Sequence, residues 1–227
     1  MYVTYDGLEI EIGNSRIKCN SEAEVKSVAY MGYSMNTNFF TRASAYIIDA
    51  IIVLLLLNII TMPIKVDAHN SAKLEDLTKQ IASGEITTKE YYKEYADLYY
   101  DIQKDGAPIN AISIILTIGY FVGFGYLNKG QTIGKKLFGI RVVNKTGKPA
   151  TLKQIALRSL FIYSLFSAII NIILVFIIGR KSYYMTSTIF TMIDTILILV
   201  TVILILFRED KRGLHDIIAS TKVIKEN

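Results

Sequence analysis

The sequence predicts an all-α membrane protein with four transmembrane helices, and three observations predict it. Hydrophobic residues make up 52% of the 227 and the mean hydropathy is +0.36, so lipid is the solvent for much of the chain. Four apolar runs are long enough to cross a hydrocarbon core of about 30 Å at about 1.5 Å per helical residue. One connection, residues 128–154, carries Lys129, Lys135, Lys136, Arg141, Lys145, Lys148 and Lys153 and no acid. Basic residues in short loops accumulate on the cytoplasmic side, so this loop is expected inside and both termini inside with it.

Residues 1–38 are expected to form a small cytoplasmic segment. Leu8 to Ile12 alternates with a period of two, then Gly13-Asn14-Ser15 turns into Arg16 to Cys19, which reads as a β-hairpin. Ser21, followed by Glu22 and Glu24, predicts a short helix to about Met31. The start of the chain lacks the basic, apolar and small-residue sequence of a cleavable signal peptide, so the spans themselves are expected to direct insertion.

The first span runs from Arg42 to Ile64 and is closed by Pro63. Residues 65–106 then hold nine acids against six lysines, with the apolar periodicity of helices in water. One helix is expected over Ser71–Ala82 and a second, opened by the capping box Thr87-x-x-Glu90, to Lys104. Together they form an extracytoplasmic helical hairpin inserted into a membrane domain spanning residues 39–224, with 225–227 a tail. The tyrosines at 91, 92, 95, 99 and 100 are expected to pack against the partner helix or the headgroup zone.

Pro108 to Leu127 is the second span, where Gly119 and Gly123 make a small-xxx-small seam that suits close helix packing. In the basic loop, Gln131 to Phe138 has the pattern of an interfacial helix. Ile140 to Asn144 alternates like a short strand, and Ser220 to Ile224 is its expected partner. Thr151 is an N-cap for the third span, Ile155 to Ile178. Gly179 to Ser187 is expected as an outer turn before the fourth span, Thr188 to Phe207.

Charged groups inside such spans cost about 2.5–3.5 kcal/mol even on lenient insertion scales, so they should face protein or water. Asp49 follows Arg42 by seven residues, two turns on the same face and about 10 Å deeper. Arg158 lies near the inner end of span three, and His215 and Asp216 just beyond the inner end of span four. These side chains are expected to form one polar cluster, with Arg42 or Arg158 neutralising Asp49 or Asp216. Asp194 sits nearer the outer side. Two carboxylates at different depths suit stations for a proton or cation; equally, they suit a clamp on helix register, with Asp194 bonded to Thr191 or Tyr120.

Enzyme chemistry finds no support. Gly130 to Lys136 has three residues between its glycines where a phosphate loop needs four, and Lys136 where Ser or Thr would hold magnesium. No nucleophile arrangement or dinucleotide fingerprint is present. Cys19 is the single cysteine, beside two histidines, so no disulfide, thiolate zinc cage, other metal centre or cofactor is expected. The formal charge of +5 is concentrated in the basic loop, which argues for the bilayer as partner rather than nucleic acid.

Three stretches resemble the RDD family of bacterial membrane proteins: Arg42-Ala-Ser-Ala-Tyr-Ile-Ile-Asp49; Gly130 to Asn144 with Gly147 and Arg158; and Arg212-Gly-Leu-His-Asp-Ile-Ile-Ala-Ser-Thr-Lys-Val-Ile224. The resemblance implies that Arg42 is the family's arginine, Asp49 its first aspartate and Asp216 its second, with Asp194 the other candidate. It also implies a multi-pass protein of the bacterial plasma membrane and a role in transport, with cation/proton exchange suggested for some members. The first 38 residues and the hairpin look like additions to the family core. Two functions are carried forward: transport of a small ion or solute through Asp49 and Arg42, needing a homo-oligomer because four spans are few, or an accessory scaffold that docks a membrane partner protein through its hairpin.

Overall fold

A computed structural model describes residues 2–4, 9–12, 15–18, 37–64 and 69–226. The protein is mostly helical. Near the start, β1 (Tyr2–Thr4), β2 (Glu9–Ile12) and β3 (Ser15–Lys18) form an antiparallel sheet in which Ile10 faces Val3 and Ile17. The expected hairpin is therefore present with one further strand; the helix expected after Ser21 lies outside the described residues.

Three helices are long and apolar enough to cross a membrane: α1 (Phe39–Thr61), α4 (Ala107–Leu127) and α8 (Arg180–Phe207). The expected third span is instead two helices, α6 (Leu152–Ile162) and α7 (Leu165–Ile177), so a fourth crossing exists if the broken pair crosses as one. The break falls at Tyr163 and Ser164, where Ser164 takes the left-handed φ of 50°. Neither proline nor glycine stands there, so no sequence signal marks it. The expected outer turn is also shorter than read from the sequence. Ile178 and Gly179 alone separate α7 from α8, because nothing from Arg180 to Phe207 interrupts a helix: the stretch lacks both glycine and proline.

The hairpin follows its capping signals. After α2 (His69–Ser83), the Thr87 hydroxyl accepts from Glu90 N–H and the Glu90 carboxylate accepts from Thr87 N–H, opening α3 (Thr88–Asp105).

Close contacts divide the chain into two compact units. The first contains Met1–Leu55, Thr117–Tyr163 and Ile196–Asn227; the second contains Leu56–Leu116 and Ser164–Thr195. In the second unit the tyrosines of α3 stack along their helix, Tyr91 on Tyr95 on Tyr99, and meet Tyr183 and Tyr184 of α8 at centroid distances of 5.6–6.1 Å. Arg180 closes this patch with an ion pair to Asp101 at 2.6 Å. Part of the stripe thus packs on α8.

The first unit is built on a small β-pair. β4 (Ile140–Asn144) and β5 (Thr221–Lys225) pair antiparallel with Val142 opposite Val223, as the alternation of both segments predicts. Their inner residues join Ala45, Val122, Ala150 and Ile155 in one apolar core. Two short helices flank the pair, α5 (Ile133–Leu137) before β4 and α9 (Leu214–Ile218) before β5. Within α4, residues Ile118–Phe124 form a π-helical segment that buries Tyr120, Phe121 and Val122 in succession. Such segments recur at functional sites.

Gly119 and Gly123 lie in that segment, and a Cβ on either would meet nothing within 4 Å. Among the described residues, then, no helix of this chain uses the expected seam. The close approaches occur at other glycines. A Cβ on Gly130, whose φ is 88°, would stand 2.1 Å from Val142 O, and one on Gly134 would stand 2.2 Å from Ala45 O.

Candidate functional site: a buried two-aspartate cluster

Asp49 and Asp216 are both fully buried, at 0% exposure, in the first unit. Each is held by a different set of partners, and the arginine pairing expected for either aspartate is made to Asp216. The arginine that shares a helix face with Asp49 does not pair with it. Arg42 reaches Asp216 Oδ2 through Nη1 at 3.0 Å, and two further donors end on backbone carbonyls: Nε on Thr37 O at 3.1 Å and Nη2 on Val223 O at 3.4 Å. Arg158 brings a second guanidinium, with Nη1 2.9 Å from Asp216 Oδ1 but off the hydrogen-bonding direction. The Thr221 hydroxyl donates to the same Oδ1 at 3.0 Å. Burial alone would raise the Asp216 pKa; Arg158, the neighbouring His215 and Arg42 override it and hold the carboxyl well below the usual range.

His215 lies against this carboxylate, Nε2 to Oδ2 at 3.4 Å, and is 2% exposed with neither ring nitrogen in a hydrogen bond. Burial outweighs the pull of Asp216 and lowers its pKa below the ordinary histidine value, so the ring is neutral at pH 7.

Asp49 is enclosed by α4 and α5. Tyr120 OH donates to Oδ1 at 2.6 Å, Gly134 N–H donates to the same oxygen at 2.7 Å, and the Thr132 hydroxyl donates to Oδ2. The Tyr120 oxygen in turn accepts from Ile133 N–H at 3.3 Å. Gly134 has no side chain because one would strike both Ala45 O and the Asp49 carboxyl, at 2.2 and 2.9 Å. The cation beside Asp49 is Lys135, 4.0 Å from Oδ2 and 3.1 Å from the Thr132 hydroxyl it donates to. Burial, helped by Arg158, pushes the Lys135 pKa down from 10.5 to about 8. A cavity of about 10 Å³, lined in part by Thr132, Lys135, Arg158 and Tyr163, adjoins these groups and is the size that one water needs.

Five of the six charged candidates therefore meet here: Arg42, Asp49, Arg158, His215 and Asp216. The sixth, Asp194, belongs to the second unit. It is half-buried on α8, and its carboxylate bonds neither to Thr191, whose hydroxyl donates to Ser187 O, nor to Tyr120; it has no partner among the described residues. Sequence reasoning missed Tyr120, Thr132, Gly134 and Lys135 as members of the site. The available signal was the run Thr132-Ile-Gly-Lys135 at the head of a short helix, where backbone N–H groups point outward and suit a carboxylate. The described residues offer no group of three or more His, Cys, Asp or Glu that could hold a metal.

The RDD family model matches residues 37–220, which include every charged member of the cluster. The chain belongs to the RDD family. It is also 29% identical over 187 residues to the uncharacterized protein YxaI of Bacillus subtilis (strain 168), covering 82% of this chain and 95% of that protein. No solved structure matches it. Within this RDD protein, the N-terminal sheet precedes the matched region, whereas the hairpin falls inside its bounds.

Two outcomes follow from this geometry. Gly134→Ala forces α5 off α1 and is expected to destabilise by about 1–3 kcal/mol, the usual cost of overpacking; detergent melting compared with Gly119→Ala, whose Cβ would meet nothing within 4 Å, reads it. Lys135 binds fewer protons folded than unfolded between pH 8 and 10.5, so stability must rise with pH through that window, and the penalty is full below pH 8. The melting temperature of wild type, taken relative to Lys135→Met, should climb from pH 8 to 10; a flat difference would show that Lys135 is not buried as a charge.

Proposed function

We propose that this RDD protein is a proton-coupled carrier of a small ion or solute, cation/proton exchange being the case to test first. The observation that carries the reading is the formal charge of the buried cluster. Three cations, Arg42, Lys135 and Arg158, stand against two carboxylates, Asp49 and Asp216. An unmatched charge is costly away from water, and among the three cations lysine is the one that gives up its proton readily. Lys135 is therefore the proton carrier in this reading, Asp49 its electrostatic partner, and Arg42 and Arg158 the fixed charges that keep Asp216 ionised.

Four crossings complete the reading, with α6 and α7 together making the third. Both termini and the basic loop lie in the cytoplasm, the hairpin lies outside, the membrane is the bacterial plasma membrane, and a homo-oligomer supplies the walls of the pathway. The distribution of lysine and arginine supports this orientation.

One observation favours the accessory alternative: three donors already fill Asp49, which suits a clamp that fixes α5 on α1. In that case the hairpin would be the docking element.

Ion-driven pH change in proteoliposomes separates the two. Sodium, potassium or lithium gradients should move protons with wild type and fail to do so with a folded Lys135→Gln. A flat wild-type response to all three, with folding confirmed, would remove cation/proton exchange and leave the clamp. Asp49→Asn is the poorer test because it disturbs a carboxylate with three donors as well as a charge. For orientation, single cysteines on a Cys19→Ser background should differ: an impermeant maleimide labels Ser83→Cys in intact cells and Lys148→Cys only after permeabilisation. The reverse pattern would invert the topology.

A further inference from the structure

The first unit carries a groove of about 500 Å³ where α4 ends and α5 begins. Its charged wall is Lys129, Lys136 and Arg141, with no acidic residue among the groove's lining. Its other wall is apolar and uncovered: Leu127 is 79% exposed and Leu137 69%, with Ile133 between them. Cations alone would suit any soluble anion, and apolar residues alone would suit any lipid tail. The two side by side suit an amphiphile with a negative head.

Two of these three cations have no carboxylate partner among the described residues. Arg141 pairs through Nη2 with the Glu226 carboxylate and reaches Gln131 Oε1 at 3.4 Å, while its Nε has no hydrogen-bond partner. No ion pair is formed by Lys129 or Lys136 among the described residues. Lys135, one position away, turns inward to Thr132 and Asp49, so the run divides its lysines between the buried cluster and the groove. The groove also adjoins the end of a candidate span, which is where headgroups lie when acyl chains run along the helix.

We propose that this groove binds the phosphodiester headgroup of an anionic glycerophospholipid, with Lys129, Lys136 and Arg141 around the phosphate and the acyl chains against Leu127, Ile133 and Leu137. The site does not depend on whether the protein transports anything. It gives the basic loop a defined ligand in addition to its influence on orientation.

The test is native mass spectrometry of the full chain in detergent, offered phosphatidylglycerol and phosphatidylcholine in equal amounts, with soluble glycerol phosphate as a competitor. Lys129→Asn, which suits the left-handed φ of 54° there, is combined with Lys136→Gln. Both lysines are exposed, and folding is checked by circular dichroism. Wild type should retain phosphatidylglycerol preferentially, and the double variant should lose roughly twenty-five-fold of that preference, at about five-fold for each basic side chain near an anionic surface. Lys73→Gln with Lys89→Gln, on the hairpin, should keep it. Equal retention of the two lipids by wild type, or an undiminished preference in the folded double variant, would overturn the proposal. Glycerol phosphate displacing the lipid at matched concentration would also overturn it, showing a soluble-anion site with no grip on the chains.

Discussion

The first unit depends on one buried carboxylate. Asp216 receives Arg42 from the start of α1, Arg158 from α6 and the Thr221 hydroxyl from β5, so three segments far apart in sequence converge on two oxygen atoms. Burying two guanidiniums and a carboxylate carries a desolvation cost of several kcal/mol per ion, which ion pairing only partly offsets. Stability is thus a poor account of why such a cluster exists. What it supplies is uniqueness: any other register of α1 against the C-terminal segment strands a charge without a partner. Arg42 adds to this by bonding Thr37 O and Val223 O, so one side chain fixes both the entry to α1 and the course of β5.

Asp49 applies the same logic to a shorter distance. A helix of five residues cannot hold its own conformation in isolation. Here α5 is fixed because its leading Gly134 N–H and the preceding Thr132 hydroxyl end on a carboxylate from α1, and because Gly134 allows the two backbones to touch. Tyr120, from the π-helical part of α4, accepts from Ile133 N–H and donates to the same carboxylate, which links the second span to the basic loop. The two aspartates therefore organise opposite ends of one construction. Asp216 collects cations, and Asp49 collects neutral donors with a lysine that is easily discharged. That difference leaves a lysine with a pKa of about 8 beside Asp49 and an ionised carboxylate at Asp216.

Arg42, Asp49 and Arg158 stood out in the sequence because an ionisable residue in an apolar run has few reasons to be there. The β4–β5 pair was readable from alternation, and the hairpin from the Thr87–Glu90 capping box. Other features left no local mark. The break at Ser164 interrupts a run with no glycine or proline, and α8 begins as early as Arg180 because neither residue interrupts the stretch that follows. The glycines tell the same story. Gly119 and Gly123 fit a packing motif yet meet open space, whereas Gly130 and Gly134 fit none and carry the close approaches.

Composition and hydropathy by themselves determined that the chain is a membrane protein, which stretches are long and apolar enough to be candidate spans, and which residues are costly to place there. These are properties of one segment against its solvent, and a sequence displays them directly. Which arginine meets which aspartate was decided only by tertiary structure. Arg42 and Asp49 share a helix face, but a side chain two turns away on the same helix competes with a carboxylate that another segment delivers to within 3.0 Å. The backbone N–H and tyrosine hydroxyl that fill Asp49 come from segments more than seventy residues away in sequence. Pairing of this kind depends on the path of the chain, and no local pattern encodes it.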